Sequence, residues 1–177
     1  MLLNTEQSQL ILIDYQRRLM PAMADAEAVR ANALRLGQMA RLMGVPVWGT
    51  EQIPDKLGPL DAELAELCGR VVTKTRFSAA RVLDALLQTQ PGRKSLVVAG
   101  CEAHVCLLQT ALDLNEAGWS VWVVTDACGS RSPHNRDAAF ARLAAAGCHL
   151  VTTEMVGFEW LQDADHDAFR PWQRLIR

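Results

Sequence analysis

Three residues of different chemical kinds each follow a short apolar run. Asp14 closes QLILID, Lys74 closes RVVTK, and Cys106 comes six residues after the glycine that ends SLVVAG. A carboxylate, an ammonium and a thiol in one place form a set for nucleophilic attack on a carbonyl, because the thiol needs a proton acceptor and the oxyanion needs donors. In that scheme Asp14 takes the thiol proton and returns it to the leaving amine, Lys74 holds the other two groups and favours negative charge, and Cys106 carries the acyl group. The N–H of Cys106, with one from the turn before it, is placed to form an oxyanion hole. A thiol at the start of a helix meets unpaired N–H groups and a positive dipole end, so Cys106 is expected to be more acidic than the other cysteines. Taken singly, each residue has a plainer reading: a turn aspartate, a solvated strand-end lysine, a buried helix cysteine. Their joint placement at strand ends points to a site.

The elements that must position these groups follow from hydrophobic periodicity. Apolar runs predict six strands, at Gln9–Asp14, Val45–Thr50, Arg70–Lys74, Ser95–Gly100, Ser120–Thr125 and Cys148–Thr152. Helical spacing predicts helices over Glu27–Met43, Leu60–Leu67, Ala79–Gln88, His104–Ala117, Pro133–Ala146 and Thr153–Leu161. Glu51–Pro59, with two prolines and a glycine, reads as a loop, and Asp163–Arg177 as a polar and aromatic tail without a clear form. Regular alternation of apolar strands with helices predicts an α/β fold, a three-layer αβα sandwich around a six-stranded parallel sheet; the order expected for it is the Rossmann-like 3-2-1-4-5-6, which would put strands one and four at the reversal. Ligands bind such sheets beyond the carboxyl ends of the strands, near the reversal of strand order, and that is where Asp14 and Cys106 emerge.

The 177 residues, half of them hydrophobic, fit one domain spanning 1–177. With 18 basic and 20 acidic residues spread along the chain, the net charge of −2 gives no basic block for nucleic acid or an anionic membrane, and a small-molecule substrate is expected instead. No apolar run approaches the roughly 18 residues of a membrane span and no signal peptide opens the chain, so a cytoplasmic protein is expected. The five scattered cysteines do not form a disulfide framework. Cys101, His104 and Cys106 lie close together, but zinc sites use shorter spacers and a second paired set, so neither a metal nor a redox pair is expected there.

The segments LILIDYQ, VTKTRFSA, VVAGCEAHVCLLQTALDLNEAGW and VVTDACGSRSPHNRDAAFARL resemble the isochorismatase-like cysteine hydrolases, a family that includes nicotinamidases and N-carbamoyl amide hydrolases. The resemblance covers nearly the whole chain. It implies a catalytic triad of Asp14, Lys74 and Cys106, a cis peptide between Cys101 and Glu102, and an oxyanion hole of the Glu102 and Cys106 N–H groups. It also implies a homo-oligomer, dimer or higher. EQIPDKLGPL looks most like a small subgroup of uncharacterised hydrolases. Nicotinamidases carry histidine metal ligands in this region, whereas no histidine precedes His104 here, so no catalytic metal and no cofactor are expected. Members that cleave the isochorismate vinyl ether typically lack the thiol, and Cys106 therefore favours an amide, ureido or related acyl substrate. A vinyl-ether hydrolase, or an oligomeric binding scaffold with a vestigial site, are the alternatives.

Glu51, Gln52 and Phe77 belong to loops at the same sheet edge and are candidates to line the substrate pocket, with Tyr15 and His104 beside them. Trp48 fits core packing better than a pocket wall. Arg131 and His134 fit structural or subunit-contact roles, and Trp160, Phe169 and Trp172 are expected to form an exposed apolar patch used in oligomerisation.

Overall fold

A computed structural model describes residues 1–176. Six strands, β1 (Ser8–Ile13), β2 (Val47–Gln52), β3 (Arg70–Lys74), β4 (Ser95–Gly100), β5 (Ser120–Val124) and β6 (His149–Val151), form one sheet in the order β3-β2-β1-β4-β5-β6. Every pairing is parallel. The expected α/β sandwich and its strand order are therefore present. β1 and β4 are buried at every position, as central strands covered on both faces must be. The helices are α1 (Ala26–Leu42), α2 (Pro54–Leu57), α3 (Ala62–Leu67), α4 (Ala80–Gln88), α5 (Leu108–Glu116), α6 (Pro133–Ala145), α7 (Thr153–Leu161) and α8 (Phe169–Leu175). α1 packs against α3 and α7, and α5 against α4 and α6. Among the described residues, no helix is long and apolar enough to cross a membrane.

Register sets the heights of the strand ends. Ile13 pairs with Thr50 on one side and with Gly100 on the other, while Gln52 pairs with Lys74. β1 and β4 approach so closely at this point that a Cβ on Gly100 would run into the Ile13 carbonyl. Beyond Gly100 the Cys101–Glu102 peptide is cis.

The boundaries differ from the sequence expectation in ways that matter for the site. β2 runs on through Glu51 and Gln52, because those residues find ladder partners in Thr73 and Lys74 of β3; they are strand residues and not loop residues. The predicted helix from Leu60 begins at Ala62, since the Asp61 carboxylate caps it by accepting from the Glu63 and Leu64 N–H groups. The helix expected over Thr153–Leu161 keeps those bounds, with the Thr152 hydroxyl accepting from the Met155 N–H as its cap.

The C-terminal aromatics are the larger correction. They do not form an exposed patch. The tail folds into α8 and returns onto α7, with Trp172 fully buried, Trp160 nearly so and Phe169 half-buried. Gly157 leaves the room: a Cβ there would overlap the Trp172 ring. Phe158 meets the same ring edge-on at a centroid distance of 6.2 Å. Gly157→Ala is expected to lower stability by about 1–3 kcal/mol through overpacking and to expose the tail to proteases; urea unfolding and limited proteolysis check both, and unchanged behaviour would contradict the docking of α8.

Candidate active site

Asp14 leaves the end of β1 with φ = 54°, a left-handed conformation that aspartate enters more readily than most residues. Its side chain is fully buried. One carboxylate oxygen, Oδ1, accepts from the Thr50 hydroxyl at 2.6 Å, and Oδ2 lies 2.7 Å from Lys74 Nζ. The ammonium also donates to Gln52 Oε1 at 2.7 Å. Gln52 can present that oxygen because its own amide nitrogen donates to the Thr75 carbonyl at 2.7 Å, which fixes which way the group faces. Gln16 fixes the Gln52 backbone in turn, accepting from its N–H at 2.7 Å and donating to its carbonyl at 3.0 Å.

Cys106 arrives from the other side of β1. After β4 the chain makes a π-helical turn over Ala103–Leu107 before α5, and Cys106 sits within that turn, 6 % exposed. The Cys106 carbonyl accepts from the Thr110 hydroxyl at 2.6 Å, and the same hydroxyl accepts the Ala79 N–H at 2.9 Å, tying the turn to the start of α4. The charges of both the Asp14 carboxylate and the Lys74 ammonium act on the thiol. Among the described residues the Glu102 N–H has no acceptor, and Glu102 and Cys106 share the wall of one cavity of about 250 Å³.

The acidity expected of Cys106 is not found. Burial, with the Asp14 charge adding to it and Lys74 opposing, pushes the thiol up to about 12. A helix start favours a thiolate only where the sulfur keeps some hydration; here Asp14 and Lys74 neutralise each other, and desolvation dominates. Burial raises the other four thiols too, so Cys106 is distinguished by the Asp14 and Lys74 charges that act on it and not by its acidity.

An Isochorismatase domain family model matches residues 8–155. The chain belongs to the isochorismatase family. It is similar to isochorismatase domain-containing protein 2A of Mus musculus, 38 % identical over 172 residues that cover 97 % of this chain and 84 % of the mouse protein. Among solved structures it is similar to the MAR1 ribonuclease of Caenorhabditis elegans, with a TM-score of 0.93 and 32 % identity over 99 % of this chain and 92 % of the other. The YcaC protein of Escherichia coli, an octameric hydrolase of unknown specificity, gives a TM-score of 0.89 and 25 % identity over 99 % and 94 % of the two chains.

The pocket of this isochorismatase-family chain differs from the sequence expectation. Gln52 and Phe77 do line the cavity, with Leu19, Leu57, Val105 and Arg131. Tyr15, Glu51 and His104 do not. Tyr15 is fully buried and its hydroxyl donates to the Ala127 carbonyl; a side chain following a left-handed Asp14 turns into the core. Glu51, pointing away from Gln52 by strand alternation, accepts the Leu60 N–H at 2.7 Å and holds the following loop. His104 Nδ1 lies 3.0 Å from the Ser130 hydroxyl and 3.1 Å from Glu102 Oε2. Arg131, expected to be structural or a subunit contact, is at the cavity wall with its Nε donating to Glu102 Oε1. His134 is exposed, and Trp48 packs in the core as expected.

Thr50 and Gln16 were not singled out from sequence. Their signal was polarity: Thr50 ends the apolar VPVWGT run at the carboxyl edge, and Gln16 follows Asp14 by two residues. Among the described residues, no group of three or more His, Cys, Asp or Glu side chains is arranged to hold a metal ion.

Two outcomes follow from this geometry. Gln52→Ala leaves a buried ammonium one acceptor short and is expected to cost about 1.5–3 kcal/mol in urea unfolding. Because the thiol is raised, iodoacetamide alkylation of Cys106 is expected to keep climbing from about pH 7 to about pH 10; a plateau near neutrality would mean an acidified thiol.

Proposed function

We propose that the chain is a cysteine hydrolase that cleaves a small amide, ureido or related acyl compound through a thioester on Cys106. What supports the reading is a buried Asp14–Lys74 pair, 2.7 Å apart, whose charges act on a thiol that lines a cavity. As substrate displaces water from the cavity, Asp14 accepts the thiol proton and the sulfur attacks the carbonyl carbon. The carbonyl electrons move to oxygen, where the unpaired Glu102 N–H and the Cys106 N–H receive the negative charge. Collapse breaks the carbon–nitrogen bond, and Asp14 returns the proton to the departing amine. A water then gives a proton to Asp14 and attacks the thioester; the acid leaves and the proton returns to sulfur. Lys74 stays charged throughout, holding Asp14 in place and offsetting negative charge on the sulfur.

A cavity of about 250 Å³ and a net charge of −2 favour a small molecule over nucleic acid, although the C. elegans neighbour is a ribonuclease. The octameric state of the E. coli neighbour supports a homo-oligomer here. Small amides assayed with wild type and Cys106→Ala are expected to show turnover that falls by about 10⁴-fold or more in the variant, with a thioester adduct on Cys106 visible by intact mass after acid quench. Activity surviving in Cys106→Ala would move the chemistry to Asp14 alone, as a vinyl-ether hydrolase would require.

A further inference from the structure

The cavity beside Cys106 is apolar apart from its chemistry. Leu19, Leu57, Phe77 and Val105 supply its hydrocarbon, and Gln52 turns its amide oxygen to Lys74. Its volume, about 250 Å³, is the space of roughly eight water molecules.

Arg131 and Glu102, the charged residues of its described lining, face each other, and Lys74, which does not line it, is paired with Asp14. The Arg131–Glu102 pair is asymmetric: the Arg131 side chain is 65 % exposed, whereas that of Glu102 is 8 % exposed, with its other oxygen 3.1 Å from His104 Nδ1. Glu102 is held through one oxygen by Arg131, while the other is buried without a hydrogen-bond partner among the described residues, the nearby His104 Nδ1 pairing with the Ser130 hydroxyl. Arg131 engages Glu102 through its Nε alone, so an acyl carboxylate that reached its other N–H groups would lie beside the Glu102 carboxylate, 8 % exposed, whose charge opposes it. A neutral aliphatic group meets no such conflict and gains by burying hydrocarbon.

We propose that the acyl side of the substrate is a short, uncharged aliphatic group of about three to five carbons, seated on Leu19, Leu57, Phe77 and Val105, and that Glu102 excludes carboxylate-bearing acyl groups. The assignment rests on the hydrolase reading for its chemistry, while its pocket preference is measurable without turnover.

The test compares acetamide, propionamide, butyramide, isovaleramide and malonamate, the last being the carboxylate counterpart of isovaleramide. Two readouts are taken in parallel: kcat/KM, and protection of Cys106 from iodoacetamide. Each methylene from acetamide to butyramide is expected to improve both by roughly fourfold, and isovaleramide to exceed malonamate by about tenfold or more. Leu57→Ala is expected to move the optimum to a chain longer by about one carbon. Protection in this order without turnover would discard the hydrolase reading and uphold the pocket assignment. Malonamate equal to or better than isovaleramide in either readout, or no protection by any compound, would overturn it.

Discussion

The buried ion pair between Asp14 and Lys74 is the constraint around which the site is arranged. Removing two charges from water costs several kcal/mol per ion, and the interior repays this only when contact is close and the remaining polar atoms are satisfied. Both conditions hold. The charges are 2.7 Å apart, Thr50 donates to the second carboxylate oxygen, and Gln52 accepts from the ammonium. Three adjacent strands supply these four groups, so strand register and ion-pair geometry depend on one another. A slip of one residue between β2 and β3 would turn Gln52 or Lys74 to the opposite face and strand a buried charge.

That pair is electrically neutral, and its neutrality governs the thiol beside it. A lysine alone next to Cys106 would draw the sulfur toward the anion; a lysine already matched by an aspartate largely does not, and burial leaves the thiol protonated. In the proposed mechanism the resting site therefore stores a base and an acid in contact, and separates charge only when a carbonyl is present to accept the sulfur. Desolvation that suppresses the resting thiolate also strengthens the electrostatic interactions that stabilise charge formed during attack.

Packing at the far side of the molecule shows a different limit on reading a sequence. Trp160, Phe169 and Trp172 are large, apolar and near a terminus, which is equally the composition of an interface and of a docked tail. The difference lies in Gly157, whose missing side chain admits the Trp172 ring. A single glycine within a helix run carries no local signal of that kind, because what it accommodates is distant in the chain.

The sequence by itself determined the strands, the helices between them, and the arrival of Asp14, Lys74 and Cys106 at carboxyl ends, because apolar runs, period-3.6 patterns and Gly and Pro punctuation are local properties, whereas the order of the strands is set by which of them pair. Only the tertiary structure decided the acidity of the thiol, the identity of the pocket wall and the fate of the aromatic tail. Acidity depends on how much water remains at the sulfur, which no neighbour in sequence reports. Pocket membership depends on direction: Glu51 and Gln52 are adjacent, yet strand alternation sends one to a loop amide and the other to Lys74 and the cavity. Leu19, Leu57 and Val105 read as ordinary apolar residues until folding sets them around one thiol, since burial and orientation are properties of elements packed together and not of the chain that forms them.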